Sequence, residues 1–170
     1  MPAPRVAIIG VPSSAGAHHA GQDLAPAAMR EHGFTGRLAA AGVEVEDRGD
    51  VAGEVFAVDY DNPGHRNLGA VVRVARAVAD AVADTRRAGS IAVVLGGDCT
   101  ITLGVVAGVQ RGDPTAALAY FDGDADLGTP ARTSSGILDS MGIAHLLGLA
   151  ARTLASKVSG SVSSYPSMTR

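Results

Sequence analysis

Tryptophan is absent from this sequence, cysteine occurs once, and phenylalanine and tyrosine occur three times each. A single thiol cannot close a disulfide within the chain, which excludes a disulfide-stapled scaffold and fits a reducing, cytoplasmic setting. No apolar run reaches the roughly 18 residues that a membrane-spanning helix needs. The opening Met1-Pro2-Ala3-Pro4-Arg5 lacks the basic-then-apolar order of a secretory signal. Basic runs are missing too. With 14 Lys and Arg against 17 Asp and Glu the formal net charge is −3, so neither nucleic acid nor an anionic membrane is an expected partner. No internal repeat stands out.

What is present is an Ala/Gly/Val-rich chain, 46% hydrophobic, with 22 glycines in 170 residues. That suffices for one domain burying roughly two-thirds of its unfolded surface. Short β-branched runs alternate with longer amphipathic ones. Val6–Gly10 is apolar throughout, as a strand buried on both faces is. A Ser/Gly/His-rich loop follows over 12–24. Pro26 suits a first helical turn and opens one helix through Ala41, with Met29 and Leu38 among its apolar positions. Val43–Asp47 alternates, predicting a strand whose wet face carries Glu44 and Glu46. Residues 50–66 are irregular. Asn67 is placed to cap a long helix whose Leu68, Val71, Val72, Ala75, Val78, Ala79 and Val82 form one stripe. Ile91–Leu95 is a third strand, Thr100–Gln110 a helix, and Ala116–Phe121 a fourth strand. This order predicts an α/β fold, a three-layer αβα sandwich around a mainly parallel sheet. The domain is expected over 1–150. From Ala151 the chain is Ser-rich and no acidic residue follows Asp139, so 151–170 is expected to be a disordered tail.

Ligands of parallel sheets sit beyond the carboxyl ends of the strands, and two chemically loaded segments fall there. Asp122, Asp124 and Asp126 alternate; if extended, they face one side about 6.5 Å apart. Three carboxylates at a buried strand end need a cation, raised pKa values or full solvation. Oxygen donors suit Mn²⁺ or Mg²⁺. An acidic surface turn, which Gly123 and Gly128 permit, is the competing reading. In Gly96-Gly97-Asp98-Cys99-Thr100 the glycines allow close backbone approach, and Asp98 or Thr100 can cap the next helix. Cys99 is either a thiolate ligand, which favours Zn²⁺, or a buried thiol. The segment lacks the Lys-Ser/Thr pair of a phosphate loop. His18 and His19 fit a solvated loop, His65 the surface, and His145 core or boundary packing.

Several ordered segments resemble the ureohydrolase family of arginases, agmatinases and formimidoylglutamases. Ile8-Ile9-Gly10-Val11-Pro12, Gly21 through Arg30, and Asp47-Arg48-Gly49-Asp50 look like the family's opening. Gly96-Gly97-Asp98 is similar to its Gly-Gly-Asp-His segment. Asp122 through Pro130 resembles its Asp-Ala-His-x-Asp-x-Asn-Thr-Pro segment, and Ser135 through Gly142 its Ser-Gly-x-x-His-Gly-Met segment. The resemblance runs over about 5–149 and implies an arginase-like fold of which this chain carries roughly the first half, an apparent truncation.

It also implies a binuclear Mn²⁺ site that activates water for attack on a guanidinium or amidine carbon. The family's two histidine ligands fall on Cys99 and Asp124, while Asp122 and Asp126 keep carboxylate positions. Cys99, Asp122, Asp124 and Asp126 are therefore the implied metal ligands, with Zn²⁺ or Mg²⁺ as alternatives to Mn²⁺. A proton-transfer histidine falls on Asp139, the implied catalytic residue, and Ser135 is kept for substrate binding. Two asparagines that hold the amino-acid end of arginine fall on Gly128 and Ile137. The expected function is hydrolysis of linear C–N bonds in a small guanidino or amidine substrate other than arginine, with homo-oligomerisation left open. A late Asp-x-Asp motif of the family is not in the chain, which keeps a non-catalytic or truncated scaffold subunit as the alternative. A haloacid-dehalogenase-type phosphatase is also suggested by a strand followed by Asp122-Gly123-Asp124. It needs a later Lys with an acidic pair, and no acid follows Lys157.

Overall fold

A computed structural model describes residues 3–150 and Val158; the rest of the expected tail lies outside the described residues. The first strand, β1 (Arg5–Gly10), is the centre of the sheet. Its Ile8 and Ile9 point to opposite faces and both are essentially inaccessible, which is why no polar residue interrupts the run. On its two sides lie β2 (Glu44–Asp50) and β3 (Ile91–Leu95), both parallel to it, in the order β2-β1-β3. The β1–β2 register shifts between Ile8 and Gly10, an irregularity that lets β2 run further than its alternation predicts. On β2 only Val45 is even half-buried, as befits an edge strand.

The single helix expected over 26–41 is two. Helix α1 (Ala25–Glu31) stops at His32, Gly33 takes a left-handed φ of 77°, and α2 (Phe34–Ala40) restarts from it. Glycine enters that region at no steric cost, so one residue redirects the chain. Met29 is correspondingly exposed, while Phe34 and Leu38 pack on Val6, Ile8 and Leu95 across one sheet face. Arg30 of α1 is held by both Asp47 oxygens, at 2.8 and 3.0 Å, and by Asp50 Oδ1 at 2.5 Å, fastening the helix to β2.

The other face carries α3 (Leu68–Arg87) and α4 (Ile101–Gln110). Val74, Val78 and Val82 of α3 reach Ile9 and Val11 of the β1 strand and its exit loop. Asn67 does not cap α3 through its side chain. It adopts φ 55°, and its Nδ2 donates to the Ala57 carbonyl at 2.9 Å, so it anchors the 57–67 loop instead. Gly104 and Gly108 of α4 lie against the Ala75 and Ala79 turns of α3. A short helix α5 (Gly142–Leu146) follows, in which His145 is buried. Helices on both faces of a parallel sheet make the three-layer α/β architecture expected.

The fourth strand is not formed. Residues 116–121 belong to no ladder, with Leu118 41% and Phe121 fully exposed. β-propensity stabilises a strand only through a neighbour, and among the described residues β3 is paired on its β1 side alone. Helix α4 tells the same story. It is apolar all round, yet only Leu103, Gly104, Val106 and Gly108 are buried. No described helix is long and apolar enough to cross a membrane.

Candidate metal centre

Three loops meet at the carboxyl ends of β1 and β3, and a buried carboxylate ties two of them. Asp98, 2% exposed, follows β3. Its Oδ2 accepts from Gly16 N at 2.9 Å, and its Oδ1 accepts from Thr100 N at 3.0 Å and from the Thr100 hydroxyl. Asp98 N in turn donates to the Ser13 carbonyl at 3.0 Å. A side chain at Gly97 would collide with that same carbonyl, so the second glycine of the segment is what permits the contact. Burial pushes the Asp98 carboxyl up, and these hydrogen bonds pull it partly back.

The third loop arrives through Asp139. Its backbone N donates to the Gly16 carbonyl at 3.0 Å, and its Oδ1 accepts from Cys99 N at 2.6 Å. Burial, then the nearby Asp98 charge, raises the Asp139 pKa. Cys99 is half-buried, and its thiol is pushed up to about 12 by burial and by the Asp139 charge. Without a cation it is therefore a neutral thiol.

The acidic segment closes over Cys99. Asp122 Oδ2 lies 3.8 Å from Cys99 Sγ, and its Oδ1 accepts from Asp124 N at 3.0 Å; that backbone hydrogen bond lowers its pKa. Asp126 has a left-handed φ of 47° and is 5% exposed. Its carbonyl accepts from Ala144 N at 3.1 Å, which seats the turn on α5. Burial first, and then the charges of Asp122 and Asp124, push the Asp126 carboxyl up. The Tyr120 hydroxyl donates to Asp126 Oδ2 and lies 3.3 Å from Asp122 Oδ2.

One donor atom each from Cys99, Asp122 and Asp126 lies within 4.8 Å of the others. This sulfur-and-oxygen set fits a divalent cation: three donors converge, and among the described residues no cation pairs with the buried Asp126 carboxylate. Of the four ligands expected, Asp124 is not in the group; it is exposed and its Oδ1 accepts from Ala125 N at 2.7 Å. The Ser135 hydroxyl is 3.3 Å from that of Thr133 and accepts from Ile137 N at 3.3 Å, so it stabilises its own turn. His18 and His19 are exposed. Sequence reasoning passed over Tyr120, although its place two residues before Asp122 puts both on one side of an extended chain.

Fold and site together define an αβα domain with an acidic, thiol-bearing cluster at the carboxyl ends of parallel strands. A sequence profile of the Arginase family matches residues 4–160. The chain is 36% identical over 143 residues to the arginase of Brevibacillus brevis, covering 84% of this chain and 48% of that one. It is likewise 36% identical over 147 residues to human mitochondrial arginase-2, covering 84% and 40%. Among solved structures, Bacillus cereus arginase superposes with a TM-score of 0.80 at 30% identity, over 92% of this chain and 51% of that one. Entamoeba histolytica arginase, crystallised with L-ornithine, does so with 0.82 at 26% identity, over 98% and 56%. The chain belongs to the arginase family, and it spans about half the length of the relatives it matches.

Proposed function

We propose that this chain carries part of a metal-dependent hydrolase of linear C–N bonds, with a divalent cation held by Cys99, Asp122 and Asp126. The convergence of these three donors within 4.8 Å, at the carboxyl ends of parallel strands, carries the reading. Mn²⁺ follows from the family, and the sulfur donor favours Zn²⁺. When bound, such a cation would acidify a water molecule for attack on the carbon of a guanidino or amidine group.

The chain's own residues fill the remaining roles. Asp139, its Oδ1 fixed by Cys99 N and its pKa raised by burial, is placed to hold and pass a proton. Asp124, on the exposed rim, is available to a second cation or to substrate. Ser135 shapes the substrate side through its turn. Arginine is disfavoured as substrate. Gly128 has no side chain, and Ile137 is apolar and 4% exposed, so neither offers a hydrogen bond to an amino-acid head group. The arginase-like part takes in the profile match over residues 4–160, and the free thiol suits a cytoplasmic setting.

Calorimetric titration with Mn²⁺ and Zn²⁺ tests the centre. Binding tighter than about 1 mM, weakening as protons compete for the donors at lower pH, is expected. Failure of both metals to bind would leave the non-catalytic scaffold reading. Urea release from arginine at about 1 s⁻¹ or faster would refute the exclusion of that substrate.

A further inference from the structure

Tyr120 is in neither the expected nor the proposed donor set, yet its hydroxyl stands between the two carboxylates on which that set depends. It donates to Asp126 Oδ2 and lies 3.3 Å from Asp122 Oδ2. A phenol has one proton and two acceptor lone pairs, so it donates to one carboxylate at a time while remaining in reach of both. The backbone constrains these two aspartates unequally. Asp122 sits in an exposed stretch, with Gly123 beside it and Asp124 N on its Oδ1. Asp126 is buried and returns through a left-handed turn tied to α5. Tyr120 links the exposed carboxylate of the pair to the buried one. It does so from the position two before Asp122, where an extended chain presents both side chains together.

We propose that Tyr120 is the positioning residue of this centre. Its hydroxyl orients Asp126 and Asp122 toward the Cys99 sulfur, so that the three donors are gathered before a cation arrives. The inference rests on the metal reading above. Hydrogen-bond partners of ligating carboxylates set ligand orientation, and their loss costs about 10–100-fold in metal affinity.

Tyr120→Phe removes the oxygen alone, and Tyr60→Phe, at a residue 81% exposed and outside the site, is the control. Wild type and both variants are titrated with Zn²⁺ by calorimetry and with Co²⁺ by visible absorption. Expected for Tyr120→Phe is binding weaker by about 10–100-fold at unchanged stoichiometry. The thiolate-to-Co²⁺ band at saturation should persist, since Cys99 is untouched, and the metal-free melting midpoint should stay within about 2 °C of wild type. Tyr60→Phe should bind as wild type does. Equal affinity in Tyr120→Phe overturns the proposal, and tighter binding does so too, since the hydroxyl would then be competing with the cation. A metal-free midpoint many degrees lower assigns Tyr120 to packing and also overturns it. If wild type binds neither ion, the metal reading falls together with this one; if wild type binds and Tyr120→Phe matches it, this one falls alone.

Discussion

Two glycine-to-alanine substitutions, chemically identical, should move stability in opposite directions. Gly36 lies within α2 with nothing within 4 Å of where a methyl would stand, and its φ is ordinary. Alanine there restricts the unfolded chain and suits the helix, which stabilises by about 0.5–1 kcal/mol. Gly108 lies within α4, where a methyl would stand 2.6 Å from the Ala79 carbonyl oxygen and 2.8 Å from Val82 Cβ. Carbon contacts are comfortable near about 3.5 Å, so α3 and α4 must part by about 0.7–0.9 Å. Overpacking of that kind costs about 1–3 kcal/mol, against about 0.8–1 kcal/mol of helix propensity gained. The net expectation is a loss near 1 kcal/mol, or about 3 °C in melting midpoint for a chain of this size. Urea denaturation followed by far-ultraviolet circular dichroism, with unchanged m-values, measures both. If Gly108→Ala raises the urea midpoint as Gly36→Ala does, the α3–α4 contact is looser than described. The result bears on the candidate centre as well, because α4 begins two residues after Cys99 and is seated by this same contact.

Asp126→Asn should separate binding from folding. Removing a buried carboxylate that burial and the Asp122 and Asp124 charges disfavour should leave the metal-free melting midpoint unchanged or raised. Zn²⁺ affinity should fall by about tenfold or more, about 1.4 kcal/mol. A loss of metal-free stability with affinity intact would contradict this assignment. His145 predicts a pH effect: burial lowers its pKa from 6.5 to about 4. The unfolded chain therefore binds the proton more readily, and this contribution to stability is complete above about pH 6.5 and lost as pH falls toward 4. His145→Leu should flatten the dependence of the urea midpoint between those values, and an unchanged slope would argue against burial as the cause.

Much of the architecture was legible because it depends on local alternation. The apolar β1 run, the α3 stripe and the glycine-rich exit from β3 each announce themselves within a few residues. The break at Gly33 was not legible, because a helical glycine and a left-handed one are written alike. Asn67 stands at the N-cap position as expected, but its side chain is claimed by Ala57, ten residues back. The 116–121 strand failed for a different reason: its sequence carries propensity, but among the described residues no strand pairs with it. At the centre, the family resemblance named Cys99, Asp122, Asp124 and Asp126, and donor atoms of the first, second and fourth lie together. It could not foresee that Asp124 would turn to Ala125 N, nor that a tyrosine hydroxyl would stand between the other two aspartates. Local backbone geometry decided the first, and a single side-chain contact the second.

The unpaired stretch at 116–121 has a colloidal consequence. Ala116-Ala117-Leu118-Ala119-Tyr120-Phe121 is uncharged and free of proline, and it is the kind of six-residue window that self-associates into stacked strands. It is flanked by Asp113 and Pro114 on one side and by Asp122, Asp124 and Asp126 on the other, charges that act as gatekeepers against such stacking. The same carboxylates are the ones a divalent cation would neutralise. Binding of the proposed cation would therefore remove part of the electrostatic guard over an exposed apolar segment, and solubility of concentrated protein should fall as metal is added.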